Sequence, residues 1–341
     1  MHAVFTMAAL QKELMVPGET PLYGTLHLPP KSPINGNSGE PPKFPAILFI
    51  HGSGPLDRNE NSCYIKLNIF NYLAEELGRA GFASFRYDKR GIAKSKGKYI
   101  EAGLWDLVDD ATRALALLKD QPGIDAKRIV LIGHSEGCYI APMVNRREPV
   151  AGIVLLMAAA DRLDMVLEYQ SEWTEDAIRS MKGFRGKLIR YSISLFGGGS
   201  VAETSRKFIK KIKETTKPVI RFRMSRVQAK WFREHFAIDP REIYSSVTCP
   251  VLVIGGSKDM QVKPEDAKTI SELVGGPSEW HIIDGETHIL RKDASDGPSI
   301  LHYKKLVKEG VDPELTKLVG DWLIKNFTGG RQDNVGSLHR H

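Results

Sequence analysis

With 341 residues, 42% of them apolar and 26% charged, the chain has the composition of a folded, soluble protein. It is long enough for one large core with an insert or for two domains, which excludes a disordered, collagen-like or coiled-coil chain. The formal charge of +7 comes from one stretch, since residues 161–249 hold 18 Lys and Arg against 11 Asp and Glu while 30 of each sign balance elsewhere; a charge confined in this way does not imply nucleic acid as a partner.

The longest unbroken apolar run, residues 150–160, is about half of the roughly 20 residues a membrane helix needs, so no membrane span is expected. The opening residues lack the basic start, apolar stretch and small-residue cleavage site of a signal peptide, which makes the cytoplasm the expected compartment. Cys63, Cys138 and Cys249 are odd in number and lack CxxC spacing, so neither a disulfide framework nor a cysteine zinc site is expected.

Taken in chain order, the alternating apolar patterns at 13–16 and 22–28, joined by VPGETP, predict an opening hairpin. Residues 29–45, rich in Pro, Gly, Asn and Ser, read as an exposed loop. Strands follow at 46–50, 83–87, 129–133, 152–157, 251–255 and 279–283. The runs PAILFI, RIVLIG, GIVLLM and PVLVIG look buried on both faces. Helical spacing occupies 68–80, 104–120, 136–147, 264–274 and 313–327, with Pro142 a point where the third of these kinks or ends early. Strands alternating with helices predict an α/β fold with a mostly parallel eight-stranded sheet flanked by helices. Residues 161–246 look helical, lack a convincing strand and interrupt the alternation, so they read as an inserted cap. That leaves a discontinuous core at 1–160 and 247–328 and a frayed tail at 329–341. The cap's basic residues read as solvated helix faces, or as a rim that attracts anionic substrates or surfaces.

The chemistry gathers where strands end. RIVLIGHSEGCYIAPMV carries a buried strand into GHSEG and then into a helix. This is the context of a nucleophile elbow, with Ser135 in a strained turn and Gly133 and Gly137 permitting close approach of strand and helix. A serine hydroxyl needs a base and a group that orients the base. Asp259, just past the strand PVLVIG, and His288, in the loop after WHIID, supply them in the order Ser, Asp, His. Asp161 and Asp284 are the alternative acids. His281 reads as an edge residue, His302 as helical, and His134 as structural. The oxyanion of an acyl-transfer intermediate needs preset donors, for which the amides of Glu136 and Ser53 are the first candidates and Gly54 the next. His51, in the same HGSG loop, reads as a brace for the turn.

On these motifs, together with HGSGPLDRN, GGSKD, GETH and RYDKRGIAKS, the chain resembles the α/β-hydrolase superfamily over roughly residues 22–327. The flavour is that of cap-bearing bacterial esterases of the dienelactone-hydrolase or serine-aminopeptidase-like kind. Asp88, Arg90, Gly91 and Ser95 match the DxRGxGxS loop, with Ala93 in place of its second glycine, and Cys138 stands where a small residue is common after the elbow. The resemblance implies a serine hydrolase that cleaves carboxylic esters through an acyl-enzyme, with a small-molecule ester as its partner. No HExxH or clustered ligands call for a metal, no cofactor is expected, and the cap is expected to narrow access and favour small to medium acyl groups. A serine aminopeptidase or acyl-aminoacyl peptidase stays open, its substrate amine to be held by an acid such as Glu168, Glu172, Glu175 or Asp176. A binding protein built on a hydrolase scaffold stays open as well.

Overall fold

The apolar runs that read as buried on both faces form the middle of one sheet, because only covered strands can afford continuous Val, Ile and Leu. The computed structural model describes residues 10–30, 43–180 and 200–328. Most of the loop read at 29–45 and the whole tail at 329–341 lie outside the described residues.

The first strands are β1 (Leu10–Val16), β2 (Leu22–Leu28), β3 (Phe44–Ile50), β4 (Ala83–Tyr87), β5 (Ile124–His134) and β6 (Gly152–Leu156). A short pair, β7 (Ile220–Phe222) and β8 (Ser225–Val227), stands apart, and β9 (Val251–Gly256) and β10 (Ser278–Ile283) complete the set. The main sheet has the order β1-β2-β4-β3-β5-β6-β9-β10. Strand β2 is antiparallel to both neighbours, while the pairings from β4 through β10 are parallel. This is the expected eight-stranded, mostly parallel sheet. In its centre Leu131 of β5 lies opposite Leu48 on one side and Ile153 on the other. Ile129 to Ile132 are fully buried, and each such side chain contributes about 1.5–3 kcal/mol.

Helices α1 (Ile69–Arg79), α2 (Leu104–Lys119) and α3 (Gly137–Arg147) connect the early strands. The segment between β6 and β9 holds α4 (Leu163–Ser180), α5 (Val201–Glu214), α6 (Ala229–Ala237) and α7 (Pro240–Ser245). Three more follow: α8 (Asp266–Leu273), α9 (Tyr303–Leu306) and α10 (Pro313–Phe327). The flanking helices turn their apolar stripes to the sheet: α1 buries Ile69, Phe70, Leu73 and Leu77, and α10 buries Leu315, Val319, Trp322 and Leu323.

Two local expectations are corrected. The segment read as helical without a strand contains the β7–β8 hairpin, which is antiparallel with Ile220 opposite Val227. Its strands are three residues long, too short to register as an alternating pattern. Helix α3 continues through Pro142 to Arg147 without the early end; Pro142 is buried against the core, and that packing offsets the one lost backbone donor.

Since β3, β5, β9 and β10 run parallel and adjacent or nearly so, their carboxyl ends open onto one edge, where ligands bind in sheets of this type. Strand and helix meet there backbone to backbone. A Cβ on Gly133 would lie 2.4 Å from the Gly137 carbonyl oxygen, and a Cβ on Gly137 would lie 2.1 Å from that of Ile50. Gly137→Ala is therefore expected to destabilise the fold by about 3 kcal/mol or more, an overpacking cost at the top of the usual range, measurable by urea unfolding.

Candidate active site

At the end of β5 the chain turns sharply, and Ser135 adopts φ +52°, a left-handed conformation that costs a non-glycine residue about 1–3 kcal/mol. The turn is pinned by the Ser135 amide donating to Leu156 O and by the Cys138 amide donating to Ser135 O, each at 2.9 Å. It presents Ser135 Oγ to His288 Nε2 at 2.9 Å. His288 comes from the loop after β10, and its Nδ1 lies 2.7 Å from Asp259 Oδ2. Asp259, from the loop after β9, is itself fixed, its Oδ1 accepting from the amides of Gln261 and Val262 at 2.7 and 3.1 Å. With a carboxylate facing Nδ1, the imidazole proton belongs there and the Nε2 lone pair faces the serine hydroxyl.

The alternative acids are engaged elsewhere. Asp161 pairs with Lys263 at 2.9 Å and Arg241 at 3.8 Å, and the exposed Asp284 accepts from the Ser257 hydroxyl. His281 is half-buried in β10, while His302 contacts Asp293 at 2.7 Å.

The HGSG loop lies against the elbow, since a Cβ on Gly52 would sit 3.3 Å from Ser135 Cβ. Among the described residues, the amides of Ser53 and Glu136 have no acceptor within the protein, and the Gly54 carbonyl accepts from the Leu56 amide at 3.0 Å. Gly52 is clamped at both ends. Its amide donates to Glu60 Oε1 at 2.7 Å, and its carbonyl accepts from Lys89 Nζ at 2.6 Å. Because the C=O and N–H of a trans peptide point in opposite directions, drawing the Gly52 carbonyl to Lys89 turns the Ser53 N–H the other way. His51 braces by packing alone: it lies edge-on to Tyr87 and tilted on Phe70, with both ring nitrogens unpartnered. Burial, reinforced by Lys89, lowers its pKa to about 4 and keeps it neutral.

Several residues in this arrangement carry no warning in the sequence. Lys89 also pairs with Glu136 Oε2 at 2.9 Å, and both are buried. The other Glu136 oxygen accepts from Trp231 Nε1 and lies 3.3 Å from His235 Nε2, both residues of α6. Burial would raise the Glu136 pKa, but Lys89 and His235 more than reverse it and hold it at about 2. Glu60, fully buried, lies 2.8 Å from His134 Nδ1, and His134 Nε2 donates to the His288 carbonyl. The DKRG residues act as ties: Arg58 grips Asp88 through two bonds of 3.0 and 2.7 Å, and Arg90 grips Asp110 at 2.7 and 2.8 Å.

Two cavities meet at Ser135 and share Ser53, Gln261 and His288. One, of about 300 Å³, extends past Pro55, Ser62, Tyr64 and Ile65. The other, of about 200 Å³, is walled by Leu163, Val166 and Leu167 of α4, Trp231 and Phe232 of α6, and Val262.

Lys89→Met strands the buried Glu136 charge and is expected to cost about 3–5 kcal/mol in chemical unfolding, with Lys89→Met/Glu136→Gln recovering part of it. Since the folded pKa of Glu136 is depressed from 4.5 to about 2, its contribution is complete above pH 4.5 and is lost as pH falls towards 2; the double variant is expected to show a flatter stability profile in that window. Glu286, two residues before His288 and fully buried, has the opposite sign. Burial, with Asp312 beside it, raises its pKa from 4.5 to about 9, so stability falls as pH rises through that interval. Glu286→Gln is expected to stabilise the fold at pH 8 more than at pH 4, as thermal melts at the two values will read.

A family model described as serine aminopeptidase, S33, matches residues 66–294. Esterase EstD of Thermotoga maritima is 27% identical over 283 residues, which cover 83% of this chain; the match spans 62% of the length of EstD. Among solved structures, DcsB in complex with its substrate analogue aligns with a TM-score of 0.59 at 16% identity, over 94% of this chain and all of that one. Est1E from Butyrivibrio proteoclasticus with bound ferulic acid gives a TM-score of 0.58 at 17% identity, covering 92% and 98% of the two chains. These neighbours share the α/β-hydrolase fold, and with two thirds of its length matched by the family model the chain belongs to the serine aminopeptidase, S33, family of hydrolases.

Proposed function

We propose that the protein is a serine hydrolase of carboxylic esters, with Ser135 as nucleophile, His288 as base and Asp259 as the group that orients the base. The observation that carries this reading is the unbroken hydrogen-bond chain from the Ser135 hydroxyl through both nitrogens of His288 to Asp259. His288 takes the hydroxyl proton as Ser135 attacks the acyl carbon, and the amides of Ser53 and Glu136 receive the oxyanion. The tetrahedral intermediate collapses, His288 returns the proton to the departing alcohol, and the acyl-enzyme remains. A water deprotonated by His288 attacks it, His288 returns that proton to Ser135 Oγ as the acyl bond breaks, and the acid leaves. The segment 161–246 serves as the cap over this site, and the apolar cavity beneath α4 and α6 supports acyl groups of small to medium size.

Esters are favoured over free-amine peptides by the charge balance of the cavities. An aminopeptidase needs a carboxylate to spare for the substrate ammonium. Among the described residues lining the two cavities the carboxylates are Glu60 and Glu136, and each already faces His134 or Lys89. Of the acids considered on α4, Glu168 and Glu172 are exposed, Glu175 accepts from the Ala202 amide, and the Asp176 side chain lies outside the described residues.

Ser135→Ala is expected to lower turnover of an aryl acetate by about four to six orders of magnitude, and Asp259→Asn to be far more harmful than Asp161→Asn or Asp284→Asn. A parallel panel of aryl esters and aminoacyl amides on wild type and Ser135→Ala tests both parts. Near-normal hydrolysis by Ser135→Ala would remove the nucleophile assignment, and faster cleavage of the amides than of the esters would shift the reading to the peptidase.

A further inference from the structure

A strongly one-sided charge lies on the inserted segment. Residues 200–233 contain eleven Lys and Arg and only two acids, Glu203 and Glu214. Helix α5 is amphipathic, burying Ile209 and Ile212 and turning Arg206, Lys207, Lys210 and Lys211 outward. The β7–β8 hairpin continues this face. Arg221 stands directly opposite Arg226 in the ladder, and both are exposed. Like charges in cross-strand register are destabilising. Among the described residues no carboxylate pairs with either arginine, or with Arg206, in an ion pair. At the tip, between Arg223 and Ser225, Met224 is 99% exposed.

We propose that this face docks on an anionic lipid bilayer, with the arginines and lysines on the headgroups and Met224 inserted at the boundary with the acyl chains. A cluster of four to eight Lys or Arg on an amphipathic helix has the charge complementarity for anionic lipid, and an apolar tip adds burial that a polyanion such as nucleic acid does not offer. The hairpin is not a loose appendage. Phe222 packs edge-on against Phe208 of α5 at 5.1 Å, Phe208 packs against Phe232 of α6 at 4.8 Å, and Phe232 forms part of the cavity wall next to Ser135. The docking face and the apolar cavity are thus one packed unit, so a bilayer held by the hairpin stands at a fixed position relative to the cavity. The docking step is independent of the chemistry assigned to Ser135.

The test is sedimentation of the full chain with phosphatidylcholine vesicles, with and without phosphatidylserine. Wild type is expected to pellet with the phosphatidylserine vesicles, to stay in solution with phosphatidylcholine alone, and to be released by added salt. Arg206→Gln/Arg221→Gln/Arg226→Gln should lower the partition coefficient about 100-fold, each cationic side chain being worth about fivefold. Met224→Ser should weaken binding while keeping its salt dependence. Both variants should hydrolyse a dissolved aryl acetate like wild type, and Ser135→Ala should pellet like wild type, which separates docking from hydrolysis. Wild type remaining in solution with both vesicle types at low salt would overturn the proposal. So would tight binding of duplex DNA, lost in the triple arginine variant, by a protein that ignores the vesicles.

Discussion

The buried Glu136 carboxylate is the interaction on which the rest of the site depends. A charge removed from water is tolerated only when it is paired and hydrogen-bonded on all sides, and the partners of this one come from three separate parts of the chain. Lys89 comes from the loop after β4, Trp231 and His235 from α6, and the carboxylate itself from the residue after Ser135. Satisfying one side chain therefore sets the elbow, the loop that carries Ser53 and a wall of the apolar cavity in a single geometry.

A second buried charge extends the same frame to His288. Glu60 holds the Gly52 amide on one oxygen and faces His134 on the other, and His134 holds the His288 carbonyl. Burial alone would leave His134 less basic, but Glu60 reverses the shift and raises its pKa, while His134 lowers that of Glu60. The loop that carries Ser53 and the loop that carries His288 are in this way referred to one another through Glu60 and His134. Preorganisation of this kind is what lets backbone dipoles stabilise a developing charge without a reorganisation cost during reaction.

The strands were legible because a covered parallel sheet demands runs such as RIVLIG, and the elbow because strand, GHSEG and helix follow without a gap. Asp259 was legible by its place just past the buried β9, and His288 by its place after β10, an edge strand of which only Ile283 is buried. Lys89, Glu60 and Arg58 were not: in a sequence each is one more charge in a polar loop, and only the convergence of loops far apart along the chain removes them from water. The hairpin failed to register for a different reason. Its turn lacks the Asn-Gly type of signal, because Arg223 itself takes the left-handed conformation at φ +54°. Ala93 shows the same tolerance, standing at φ +46° where the DxRGxGxS loop has glycine.

The contact of α6 with Glu136 also limits what the insert can do as a moving part. A rigid swing of the segment away from the sheet would draw the indole and the imidazole off a carboxylate that the surrounding apolar walls keep from water. Breaking the contacts of a buried charge costs about 3–5 kcal/mol when the charge is left unpaired, so Glu136 ties α6 to the elbow. The other cavity at Ser135 has Tyr64 in its lining, 93% exposed.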